Sequence, residues 1–265
     1  MSDRVKIEID GPIAHVILNR PDKLNGLDLP MMHALVDAAK QIERNKQVRA
    51  VIMRGEGDAF CAGLDFASVG KQPRKMAMGF LKVPRLQRYN LYQRAPGMWR
   101  DLPVPVIAAI HGHCYGGGIQ IALCADFRIA TPNAKLSVME GKWGLIPDMT
   151  GSVTLRELVP IDVAKRLTMT AEVISGEQAK DLGLVTDTSE DPVAAAEALA
   201  QELVKRSPDA VASAKRLFHR AWTATERKAY WVETFEQAKL LRSKNHAIAK
   251  RAGAKGEQPQ YKDRN

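Results

Sequence analysis

His111-Gly112-His113-Cys114-Tyr115-Gly116-Gly117-Gly118-Ile119-Gln120 is the stretch on which the reading of the fold turns. Before it, residues 103–110 form a proline-opened apolar run of strand length. After it, residues 119–124 begin a helix, and 126–130 read as another strand. A strand, a turn of glycines and then a helix leaves unpaired N–H groups at the helix start. Such groups favour an anion or a developing oxyanion. The spacing is not G-x-G-x-x-G and no Gly-Lys-Ser/Thr follows, so a dinucleotide fold or a P-loop is disfavoured. The same glycines would also serve close helix-to-sheet packing, and both readings stand. His111 and His113 lack the spacing of a helical zinc pair and read as loop or core histidines.

Working toward the N-terminus, residues 5–9 alternate apolar and charged side chains, Gly11-Pro12 breaks the run, and 13–18 resumes it. This predicts a hairpin of two strands. Asp28 or Asn25 can cap a following helix with Met31, Met32, Leu35, Val36, Ala39 and Ile42 on one face. Residues 49–53 predict a short buried strand, and 55–58 a turn. Ala59-Phe60-Cys61-Ala62-Gly63-Leu64-Asp65 follows. Gly63 permits backbone conformations closed to other residues, so the turn can point the N–H of Leu64 into a pocket. It also reads as an ordinary tight strand-to-helix turn. Residues 71–94 are basic, Met-rich and poorly periodic, and predict an insertion leading into a helix around 89–102. Ser68-Val69-Gly70-Lys71 fits S-x-x-K, but its partner motifs are missing.

Toward the C-terminus stands Leu136-Ser137-Val138-Met139-Glu140-Gly141-Lys142-Trp143-Gly144-Leu145-Ile146-Pro147-Asp148. Glu140 sits among Val138, Met139, Trp143 and Leu145. A carboxylate in apolar company has a raised pKa, which suits proton transfer. The competing reading is a surface Glu paired with Lys142. Asp148 follows a proline turn. Ser175-Gly176-Glu177-Gln178 has the form of a capping box. Residues 192–205, 208–222 and 226–242 predict three amphipathic helices, and from 253 onward the polar tail is expected to fray. Strands first and helices last predict an α/β core followed by a helical extension.

The whole chain has 265 residues, 45% hydrophobic and 26% charged, which is the mix of an ordinary globular protein. No run approaches the length of a membrane-spanning helix. Met1-Ser2-Asp3-Arg4 lacks an apolar h-region, so no secretory signal is expected. Cys61, Cys114 and Cys124 are widely spaced and match no zinc or C-x-x-C pattern, which predicts reduced thiols and a cytoplasmic location. The formal net charge of +9 fits a phosphate-bearing ligand, a nucleic acid or simply a basic surface. There is no RNP-type aromatic motif and no dense basic arm, so nucleic acid is not the expected partner. No G-x-S-x-G, H-E-x-x-H or kinase motif set is present.

Taken in order, these segments resemble the crotonase family, the enoyl-CoA hydratase/isomerase superfamily. The likeness runs from Val16-Ile17-Leu18-Asn19-Arg20-Pro21-Asp22-Lys23-Leu24-Asn25 through Gly183-Leu184-Val185, and more weakly into the C-terminal helices. The resemblance implies an α/β superhelix of repeated strand-strand-helix turns. Residues 1–190 would form the spiral core and 191–265 a helical trimerisation region, giving a homotrimer or a dimer of trimers. It implies an acyl-CoA substrate, coenzyme A being part of that substrate, with no separate cofactor and no metal. By motif position, the N–H groups of Leu64 and Gly117 would hold the thioester oxygen as an enolate develops, each contributing roughly 3–4 kcal/mol. Coenzyme A would lie along Lys23, Leu24, Asn25, Ala62, Gly63, Asp65 and Phe66, with Lys71, Arg74 or Lys250 meeting its phosphates.

The catalytic pair departs from the family's hydratases. Those use two glutamates. The later one matches Glu140, while the earlier position, three residues after Gly117, is Gln120 here. An amide can hold a water but cannot accept its proton. Loss of one acid/base partner typically costs about 10²–10⁴-fold. The resemblance therefore implies an enoyl-CoA or dienoyl-CoA isomerase, with Glu140 as proton shuttle, Asp148 as second acid or orienter and Gln120 as polar positioner. A hydratase adding water to a trans-2-enoyl thioester in fatty-acid oxidation is the alternative. An RNA-binding relative and a non-catalytic scaffold stand further off.

Overall fold

The computed structural model describes residues 3–70, 74, 78–79 and 88–264. Strands β1 (Val5–Asp10) and β2 (Ile13–Leu18) form the expected hairpin. Helix α1 (Leu29–Arg44) starts on Asp28, whose side chain accepts from the Met31 N–H at 2.8 Å. Its buried face carries Met31, Met32, Leu35, Val36, Ala39 and Ile42, the residues that the periodicity places there. Strands β3 (Ala50–Gly55) and β4 (Ala59–Cys61) follow, then the short helix α2 (Phe66–Gly70). Most of the 71–94 insertion lies outside the described residues. Its end is helix α3 (Leu91–Asp101), opened by an Asn90/Gln93 capping box.

The same alternation then repeats. Strands β5 (Val106–Ile110) and β6 (His113–Tyr115) lead into α4 (Gly117–Leu123). Strands β7 (Phe127–Ala130) and β8 (Lys135–Ser137) lead through a 3-10 turn (Met139–Trp143) into α5 (Gly151–Leu158) and α6 (Ile161–Thr170). Strand β9 (Ile174–Ser175), α7 (Gly176–Asp181) and β10 (Asp187–Thr188) end the strand-bearing part. Ser175 and Gln178 make the predicted capping box.

From β3 to β8, successive strands alternate between two sheets. One sheet has the order β1-β2-β3-β5-β7-β10 and the other β4-β6-β8-β9. The chain therefore spirals, laying one strand in each sheet per turn. This is the strand-strand-helix superhelix that the resemblance implies. Strands β3, β5 and β7 are parallel and their apolar runs are buried on both faces, as parallel sheets require. One face of the large sheet packs on α1 and α3, with Trp99 and Phe60 wholly buried. The other face is covered by α8 (Pro192–Val204), where Ala196 and Ala200 allow close approach to Ile52, Ile107 and Ile129.

Helices α9 (Pro208–Ala221) and α10 (Glu226–Leu241) match the remaining two predicted helices within a residue. A fourth, α11 (Lys244–Lys255), was not expected. Nor does the tail fray. It returns to α1, where the Arg264 guanidinium donates to the carbonyls of Ile42, Glu43 and Asn45 at 2.9, 2.7 and 3.0 Å. Asn245 holds the Lys262 backbone in both directions. A polar tail reads as solvated, yet a guanidinium is the natural partner for carbonyls left over at a helix C-terminus.

Candidate active site

The two glycine turns come together at the ends of β4 and β6. Gly63 has φ of +89°, and a Cβ there would stand 2.7 Å from the Tyr115 carbonyl oxygen and 3.5 Å from the Gly117 nitrogen. No larger residue fits. The backbone around Leu64 is pinned on both sides: Leu27 N–H donates to Gly63 O at 2.8 Å, and Asp65 N–H to Leu27 O at 3.0 Å. Around Gly117, Gly116 N–H donates to Ser137 O at 3.0 Å and Gln120 N–H to Gly116 O at 3.1 Å. Among the described residues, the N–H groups of Leu64 and Gly117 are not spent on backbone carbonyls. Gly117 is the first residue of α4, where no intrahelical acceptor exists. Both readings of the glycines are therefore realised at once: close packing and open amides.

Glu140 lies on the 3-10 turn beside them. It is buried and does not pair with Lys142, whose ammonium lies over the Trp143 ring instead. Glu140 Oε1 accepts from Gln120 Nε2 at 2.6 Å, while Oε2 is buried with no hydrogen-bond partner among the described residues. Burial pushes the Glu140 carboxyl above its ordinary range, opposed by its own backbone N–H and by the Gln120 N–H, with the Asp148 charge adding a smaller push. Burial likewise raises Asp148. Gly116, at φ of +50°, brings the α4 turn against the carboxylate; a Cβ there would stand 3.5 Å from Glu140 Oε1.

Leu64, Gly117, Glu140 and Asp148 open onto one cavity of about 680 Å³. Its walls are otherwise apolar, with Met139, Trp143 and Met149 near the carboxylate and Phe66 at the rim. The Phe66 and Trp143 rings lie 4.9 Å apart. Two open amides and a buried carboxylate on one largely apolar chamber can hold a carbonyl oxygen while a proton moves beside it.

The expected coenzyme A residues divide. Lys23 and Leu24 are exposed, and Leu24 O accepts from the Ala62 N–H at 2.9 Å, so these residues and Ala62 form one shelf. Asn25 is fully buried, and its side chain is spent on the backbone of Arg20, Glu56 and Ala59. It shapes the shelf and presents no side chain to a ligand. Asp65 is held by Ser68 and by Arg20 at 2.8 Å, and hydrogen bonds from Ser68, with Arg20 behind them, bring its carboxyl down to about 2. It locks the turn after Gly63. Arg74 is exposed, and Lys250 is exposed on α11, a helix packed on α9 and α10. Lys71 lies outside the described residues.

A family model for enoyl-CoA hydratase/isomerase matches residues 8–264. The chain belongs to that family. Within the family it is similar to (E)-benzylidenesuccinyl-CoA hydratase of Thauera aromatica, at 32% identity over 80% of each chain. It is 31% identical to carnitinyl-CoA dehydratase of Salmonella enteritidis, over 82% of this chain and 81% of that one. The crystal structure of enoyl-CoA hydratase from Bacillus anthracis has a TM-score of 0.88 and 28% identity, covering 98% of this chain and 99% of that one. The protein is thus an acyl-CoA enzyme of crotonase fold. Sequence reasoning missed Tyr92, a buried α3 residue that lines the cavity opposite the family's glycine turns. Its phenol is pushed up by burial, with Asp148 adding to the shift. No motif marks it.

Proposed function

We propose that this family member moves a carbon–carbon double bond within an enoyl-CoA or dienoyl-CoA thioester. The observation that carries this reading is the amide beside Glu140: where a hydratase needs a second glutamate, Glu140 meets Gln120 at 2.6 Å. The N–H groups of Leu64 and Gly117 hold the thioester oxygen as it takes on charge. Glu140 removes a proton from one carbon and returns it to another. Asp148 serves as a second acid, and coenzyme A, carried by the substrate, follows the shelf of Lys23, Leu24 and Ala62. The chemistry calls for no separate cofactor or metal. Arg74 or Lys250 would meet the phosphates, and nucleic acid is not a partner in this reading.

Residues 191–265 act in this proposal as the trimerisation region of a homotrimer or dimer of trimers, built on a 1–190 core. The support is a set of large side chains left in the open: Trp222, Tyr230 and Trp231 are 64%, 60% and 62% exposed. No helix among the described residues is long and apolar enough to cross a membrane, and a cytoplasmic location rests on the free cysteines.

Hydration is the second reading, favoured by the names of the relatives, which include a hydratase and a dehydratase. A panel of trans-2-enoyl, 3-enoyl and 3,5-dienoyl thioesters, followed by absorbance and product mass, separates the two. Double-bond movement without mass change is expected. Gain of one water on the 2-enoyl thioester would establish hydration instead.

A further inference from the structure

Gly63, at φ of +89°, leaves the direction of the next amide open. Contacts outside the turn must therefore aim the Leu64 N–H. Leu27 supplies the nearest of them. It donates to the Gly63 carbonyl and accepts from the Asp65 N–H. This parallel bridge brackets Leu64 and turns its N–H away from Leu27. Leu64 lines the chamber. A glycine precedes each member of the bridge, Gly26 before Leu27 and Gly63 before Leu64, so the chain on its own holds the pair loosely.

Arg20 pins both sides of that bridge. Its Nη1 donates to the Gly26 carbonyl at 3.0 Å, and its Nη2 meets Asp65 Oδ2 at 2.8 Å. Asp28, the residue after Leu27, stands 3.6 Å from Nη1. One guanidinium thus holds the residues on either side of Leu27 and the residue after Leu64. The anchor is itself fixed. Arg20 is 7% exposed, and its backbone N–H donates to Asn25 Oδ1 at 2.7 Å. At the far end, Ser68 donates to Asp65 through its N–H at 3.0 Å and its hydroxyl at 2.6 Å. A planar fork reaches two acceptors in set directions, which an ammonium on a flexible stem does not.

We infer that Arg20 is a positioning residue for the proposed reaction: through Gly26 and Asp65 it holds the bridge that aims the Leu64 N–H at a thioester oxygen. The inference rests on the reading of Leu64 and Gly117 as the donors to that oxygen. Arg20 does not line the chamber, so it acts through the turn and not on the substrate. Buried ion pairs bring little net stability. What this one brings is a fixed direction, and a misplacement of about 1 Å in such a group can cost about 10²-fold in rate.

Carbon-13 NMR of butyryl-CoA labelled at the thioester carbonyl tests this. The acyl group is saturated, so it binds with no double bond to move. On the wild-type protein the carbonyl resonance should lie downfield of its place in free butyryl-CoA, because two N–H donors polarise the bond. Arg20→Lys keeps the charge and loses the fork. Asp65→Ala removes the far end of the pin and leaves Arg20 paired with Asp28. Each should lose most of the downfield displacement while binding coenzyme A itself as tightly as wild type. For 3-enoyl-CoA, kcat should fall by about 10–10²-fold with KM little changed. A residue that merely supports the fold would lower Tm and leave the bound carbonyl where wild type puts it. A wild-type displacement in either variant, folded by far-UV circular dichroism, overturns the inference. Loss of the displacement together with loss of coenzyme A binding does so too. Should Arg20→Lys not fold, Asp65→Ala decides. No displacement on the wild-type protein overturns the reading of the open amides instead, so the two failures are distinguishable.

Discussion

Glu140 has one oxygen that accepts from the Gln120 amide and one with no hydrogen-bond partner among the described residues, in a site that burial makes reluctant to hold charge. Glu140→Gln keeps the shape and removes the base, so turnover should fall by about 10²–10⁴-fold with the fold intact by circular dichroism. The base works ionised. Its pKa is raised by burial first and by Asp148 second, so kcat/KM climbs with pH through a midpoint above the usual carboxylate range and levels off beyond it. Asp148→Asn removes the opposing charge, and the midpoint should move down. Gly63 makes the complementary case. Gly63→Ala forces a side chain into positive φ and against the Tyr115 carbonyl, displacing the Leu64 amide. It should lower kcat by about 10²–10³-fold, the loss of one oxyanion donor, and lower Tm as well.

At the scale of elements, the tail contact on α1 is the one most exposed to test. Arg264 satisfies several α1 carbonyls while itself 3% exposed. Arg264→Ala removes their donor, the buried Ile42 carbonyl included, and should cost about 2 kcal/mol in urea unfolding, with little change in turnover. Elements were legible where a local rule acts alone. The 5–18 hairpin, the apolar face of α1 and the Ser175 box all follow from patterns within a few residues. The tail was not legible, because its partners are more than two hundred residues away. The site shows the same division. Gly63, Gly117 and Glu140 announce themselves through backbone freedom and an apolar setting. Asn25 and Asp65 look like ligand contacts in sequence, and the partners that tie their side chains into the turns show only in three dimensions. Tyr92 reaches the cavity through a helix whose position no local pattern encodes.

At the scale of the whole molecule, a charged seam joins α9 to the core. Lys215 pairs with Asp126 at 2.7 Å and donates to the Val104 carbonyl at 2.9 Å. His219 lies beside them, lowered to about 4 by burial, with Arg100 next in effect. Its folded pKa lies below the unfolded value of about 6.5, so between these values the unfolded chain binds the extra proton. Stability held above about 6.5 is therefore lost as pH falls toward 4. His219→Gln should flatten that part of the curve in denaturant titrations at stepped pH. Sedimentation velocity tests the assembly: a species of three or six copies is expected, and a monomer at micromolar concentration would count against the C-terminal helices as a trimerisation region.

In the proposed reaction, Glu140 carries a proton between two carbons of an acyl-CoA thioester. The most direct measurement is product mass and structure from a 3-enoyl thioester, with wild type and Glu140→Gln side by side. The account predicts a 2-enoyl product of unchanged mass from wild type and almost none from the variant. Full activity in Glu140→Gln, or a wild-type product heavier by one water with no isomer, would contradict it.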